Sequence, residues 1–102
     1  MKTYNKLVRD KIPQIIEESG KECSIKYADK DETLKYLISK FDEEIKEFKE
    51  EYSVEELADI LEIIYGITNN MGIDFSELEM IRKKKYEERG GFNEGIILEK
   101  VW

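Results

Sequence analysis

The sequence predicts an all-α chain built from four helices. Three observations carry that prediction. Two long segments repeat apolar residues with a 3.6-residue period, which suits amphipathic helices and not strands. Asp or Ser stands at three of the four expected helix starts, and glycine stands at three of the stops. The single proline, Pro13, falls in the first turn of the first segment, where a helix tolerates it. No linker, internal repeat or low-complexity tract divides the chain, so residues 1–102 read as one domain.

The first helix is expected from about Lys11 to Ser19, capped by Asp10 and stopped by Gly20. Cys23, Ile25 and Tyr27 then alternate with polar residues, a weak strand signal. The second helix, about Glu32 to Tyr52, is the clearest. Leu34, Leu37, Ile38, Phe41, Ile45, Phe48 and Tyr52 form one stripe. Ser53-Val54-Glu55-Glu56 reads as a capping box for the third helix, with Tyr52 stapling onto Leu57. Leu57, Ile60, Leu61, Ile64, Tyr65, Ile67, Thr68 and Met71 make its main apolar arc, and Gly72 ends it. Asp74-Phe75-Ser76-Glu77 starts a fourth helix that reaches about Glu88 before Gly90-Gly91 breaks it. Ile96-Ile97-Leu98 is a second strand candidate, and a short two-stranded pairing between the regions of Ile25 and Ile97 is expected.

Composition bounds the function. Apolar and charged residues each make up 40% of the chain, too apolar for disorder. The net charge of −7 and pI near 4.8 oppose a nucleic-acid groove and would repel an anionic nucleotide unless divalent cations screened it. The absence of histidine excludes a Ser-His-Asp triad, a histidine base and a His-ligated zinc. There is no apolar run of membrane-spanning length, and the N-terminus lacks a signal-peptide apolar region. Cys23 is alone, which fits a reducing cytoplasm. A chain this short has little surface to bury, so oligomerisation is expected.

The acidic residues stand out by spacing. Glu43-Glu44-x-x-Glu47 and Glu56-x-x-Asp59 each fall within about one helical turn, so carboxylates from neighbouring helices can converge. Oxygen ligands of that kind suit Mg²⁺. Helical phase separates the members. Glu44, Glu47 and Glu51 lie along one flank of the apolar stripe with Lys40 in phase, whereas Glu43 points more nearly away. On the third helix, Glu56, Asp59, Ile63, Gly66 and Asn70 share a second face, a mixture that suits a surface covered by another helix or a partner subunit. Ordinary explanations compete. The glutamates can pair with Lys40, Lys46 and Lys49 in solvent, and Glu56 serves as the third residue of the capping box. Asp59 is harder to explain locally, because aspartate is a poor residue for a helix interior.

Two basic segments accompany the acids. Lys83-Lys84-Lys85 and Arg89, before Gly90-Gly91, complement the helix dipole and could also bind phosphate oxygens. Lys6, Arg9 and Lys11 form a second candidate contact. No aromatic clamp is obvious, though Tyr36, Tyr65 and Phe92 could stack on a planar ligand. Cys23 and Trp102 read as packing residues.

The acids resemble the EExxE…ExxD signature of the all-α NTP pyrophosphatases, the superfamily of MazG and phosphoribosyl-ATP pyrophosphohydrolase. Glu43, Glu44 and Glu47 match its first half, and Glu56 and Asp59 its second. Tyr4 to Pro13 and Glu88-Arg89-Gly90-Gly91-Phe92 look like a small house-cleaning branch of it. The resemblance implies a four-helix MazG-like bundle holding Mg²⁺, with Mn²⁺ as a substitute, between two antiparallel helices, in a homodimer or homotetramer. It implies hydrolysis of a nucleoside triphosphate to monophosphate and pyrophosphate. Glu44, Glu47, Glu56 and Asp59 would then be metal ligands, and Glu43, Glu44 and Glu47 the catalytic carboxylates. Glu43 would hold a second ion, act through water or support the ligands. Lys83, Lys84, Lys85 and Arg89 would meet the phosphates. Two other readings stand beside it: hydrolysis of phosphoribosyl-ATP, and a non-catalytic helical interaction module.

Overall fold

A computed structural model describes residues 1–102. Four helices follow one another: α1 (Ile12–Glu18), α2 (Lys30–Glu51), α3 (Val54–Asn70) and α4 (Phe75–Arg89). There are no strands. The segments around Ile25 and Ile97 do not pair, and their side chains stand open to solvent. An isolated two-stranded ribbon is marginal in water, and no helix lies across either segment to give it a buried face.

Local chemistry sets the helix ends. Asp29 caps α2 through a reciprocal box: its Oδ1 accepts from the Glu32 N–H at 2.9 Å, and the Glu32 side chain accepts from the Asp29 N–H. The helix therefore starts two residues earlier than periodicity suggests. Ser53 caps α3, its Oγ accepting from the Glu56 N–H at 3.2 Å. Asp74 caps α4 through the Ser76 N–H. Asp10 does not cap α1; Lys11 stands at that position with no side-chain bond. The Ile12 N–H is already taken by the Arg9 carbonyl, and Pro13 offers no N–H.

Only Tyr52 and Ser53 separate α2 from α3, so the two helices turn back on each other as an antiparallel hairpin. Tyr52 makes the corner in the left-handed region (φ +52°) and its ring meets Phe48 edge-on. The hairpin zips along its length. Glu44 lies near Glu56 and Asp59 at the corner, Leu37 lies against Gly66 midway, and Asn70 donates to the Lys30 carbonyl at the far end. Of the three buried residues, Leu37 lies in this seam against Gly66, Ile63 shares the Gly66 face of α3, and Thr68 lies on the other side of α3, at the groove described below. The Thr68 hydroxyl is satisfied by the Ile64 carbonyl. A Cβ on Gly66 would come within 3.1 Å of Leu37 Cδ2, so glycine sets how closely the helices approach.

The face carrying Glu56, Asp59, Ile63, Gly66 and Asn70 is thus covered by α2 of the same chain. Of the two coverings its composition suggests, another helix or a partner subunit, the structure supplies the helix. The main apolar arc of α3 is the more open side: Leu57, Leu61 and Met71 are about half exposed. The fourth helix packs on α3, with Phe75 edge-on to Tyr65 at 4.0 Å between ring centroids. An open apolar groove of about 390 Å³ runs between α2, α3 and α4, walled by Ile38, Phe41, Ile64, Ile67, Leu78 and Ile81 among others. The radius of gyration is 18.1 Å, against about 13 Å for a compact chain of this length.

Candidate metal centre

The corner of the hairpin brings three carboxylates together. Glu44 comes from the penultimate turns of α2; Glu56 and Asp59 come from the first turns of α3. One oxygen from each lies within 4.8 Å of the other two. Glu56 is the third residue of its helix, where the N-terminal dipole favours negative charge. All three residues are half-buried.

Donors are scarce at this corner. Glu44 Oε2 and Glu56 Oε2 are both buried and have no hydrogen-bond partner. Buried carboxylate oxygens left without donors are costly, which favours either a proton or a cation between them. Glu44 accordingly holds its proton unusually tightly, its pKa raised from 4.5 to about 7. Burial is the largest cause, followed by the facing Glu56 carboxyl group, then by the nearby Glu47 and Asp59. One cation already answers part of the charge: Arg9 Nη2 donates to Asp59 Oδ1 at 2.7 Å. That bond ties the N-terminal segment to the hairpin.

The donor set fits a hard divalent cation. Three carboxylate oxygens within 4.8 Å of one another are the hard ligands that Mg²⁺ and Ca²⁺ take. No nitrogen or sulfur ligand is present to favour zinc or copper.

The other residues singled out by sequence lie differently. Glu47 is exposed at the rim, close enough to raise the Glu44 pKa but outside the converging group. Glu43 is exposed on the neighbouring flank and lines a separate cleft with Lys6 and Lys40. Lys83, Lys84, Lys85 and Arg89 are exposed along α4 and make no ion pair with the acids. Sequence reasoning set Arg9 among the basic contacts without seeing its partner, since fifty residues separate it from Asp59. Lys40 had left a signal, its helical phase with Glu44.

No helix is long and apolar enough to cross a membrane. Comparison with protein-family models, with curated proteins and with solved structures returned no match.

Proposed function

We propose that this chain is a divalent-cation-dependent nucleotide pyrophosphohydrolase. It would cleave a nucleoside triphosphate to the monophosphate and pyrophosphate. One observation carries the reading: three half-buried carboxylates from two helices converge, and two of their oxygens are buried with no donor. Surface glutamates paired with lysines would have neither property.

Glu44, Glu56 and Asp59 would hold the cation, Mg²⁺ by preference or Mn²⁺. Bound there, the cation would supply Lewis acidity and offset the phosphate charge that a chain of net charge −7 repels. The residues around it then divide the work. Glu47, exposed beside Glu44, is free to take the proton of an attacking water. Arg9 holds Asp59 in place through one oxygen. The reading includes self-association, because the single chain buries three residues and leaves an apolar groove open.

The test is a nucleotide panel with Mg²⁺ present or chelated, with products identified. Monophosphate and pyrophosphate are expected, only with the cation, and most of the release is lost in Glu44→Ala and Asp59→Ala while both remain helical. Normal release by both variants refutes the site. Absence of turnover together with absence of Mg²⁺ binding favours a helical interaction module, for which the open apolar groove speaks.

A further inference from the structure

A second feature, beside α2 on the N-terminal side of Glu44, concerns anions. Residues 5–7 lie against the flank of α2 and enclose a cleft of about 140 Å³. Its walls include Asn5, Lys6, Tyr36, Ser39, Lys40 and Glu43. Two lysines and one glutamate are among these lining residues, in a chain that is strongly anionic overall, and the Lys6 ammonium lies 5.9 Å from the centre of the Tyr4 ring. Asn5 and Ser39 add neutral polar groups able to donate hydrogen bonds. Asn5 is also held in the left-handed region (φ +46°), one of only two non-glycine residues to adopt it. Backbone of that kind persists where surrounding contacts impose it, and it recurs at ligand sites.

The position of the cleft matters more than its contents. Tyr36, Lys40 and Glu44 are spaced four apart on α2, so they follow one another along the same flank, each about 6 Å further on. The N-terminal segment runs the same way: Lys6 is at the cleft, and Arg9 reaches Asp59. Both walls of the cleft therefore continue into the carboxylate cluster. A linear polyanion could touch the cation site at one end and the lysines at the other.

We propose that this cleft is a polyphosphate subsite, in which Lys6 and Lys40 hold phosphate oxygens of a nucleotide whose reacting phosphate lies at the carboxylate cluster. This rests on the hydrolase reading for the identity of the ligand. The cleft itself is defined by its own residues. Glu43 opposes an anion there, so its role is to hold the lysines or to limit affinity, and Glu43→Gln strengthens binding. Lys83, Lys84 and Lys85 contribute nothing to this subsite.

Calorimetric titration with inorganic tripolyphosphate at low ionic strength tests the proposal, once in chelator and once with Mg²⁺. Lys6→Ala and Lys40→Ala are each expected to weaken binding about tenfold, since a hydrogen bond to a charged group contributes on that order. Circular dichroism should be unchanged, because Lys6 is exposed and Lys40 only half-buried. The variant with Lys83, Lys84 and Lys85 all changed to alanine should bind like the wild type. Retention of wild-type affinity in Lys6→Ala and Lys40→Ala overturns the subsite, as does failure of the wild type to bind tripolyphosphate in both conditions. Titration with Mg²⁺ alone reports on the carboxylates separately. A chain that binds tripolyphosphate through Lys6 and Lys40 in chelator, yet binds no Mg²⁺, keeps the subsite and loses the hydrolase reading.

Discussion

Replacing Glu44 by glutamine should make the protein more stable, and only at neutral to alkaline pH. The folded state raises the Glu44 pKa from 4.5 to about 7. Between those values the folded chain binds more proton than the unfolded chain, so stability falls as pH rises through that window. The penalty is absent below about pH 4.5 and complete above about pH 7. Each tenfold in proton affinity is worth about 1.4 kcal/mol, so the raised affinity corresponds to about 3 kcal/mol. Water at the half-buried rim screens part of this, leaving roughly 2 kcal/mol. Glutamine cannot ionise, and its amide can donate to the unpartnered Glu56 oxygen. Thermal unfolding in chelator should therefore place Glu44→Gln about 8–16 °C above the wild type at pH 8. At pH 4.5 the two should nearly coincide. An equal gap at both pH values, or a less stable variant at pH 8, would falsify the account of the corner as a site of uncompensated charge.

Two further substitutions probe how the corner is held in place. Gly66→Val should cost about 1–3 kcal/mol in chemical denaturation, because even a Cβ added at Gly66 would come within 3.1 Å of Leu37. The cost should shrink when Leu37 is also shortened to alanine; an equal cost in both backgrounds excludes that contact as the cause. Asp29→Ala should cost about 1 kcal/mol and loosen amide protection in the first turn of α2, since it removes the capping box. Unchanged protection at Glu32 and Thr33 would show that the box contributes little.

Much of this arrangement was legible in the residues, for reasons that can be traced. Apolar spacing and caps located α2, α3 and α4, because both act within a few residues of themselves. Glu44, Glu56 and Asp59 could be grouped because each lies close to the corner and the helical repeat fixes its direction. Glu47 shared the spacing but stays at the rim, since it lies further round α2 from the seam. The seam was legible only in part. The mixed face carrying Ile63 and Gly66 signalled a covering by a helix or a partner, and α2 is what docks there, while the more apolar Leu57–Met71 arc stays more open. Close approach over a glycine decided the docking, and a count of apolar residues does not register that. The partner of Arg9 was equally hidden, because it depends on where a long irregular segment comes to rest.

The two-residue corner has a kinetic consequence. All three clustered carboxylates lie between Glu44 and Asp59, so bringing them together closes only a short loop, for which the entropy loss is small. Contacts this local form early in folding chains. The centre is assembled by the hairpin alone, while Arg9 and the segment before it must travel from far away in the sequence. Carboxylates first and N-terminal strap second is the order that chain entropy favours, which makes the strap the last part of the site to arrive and the first to leave.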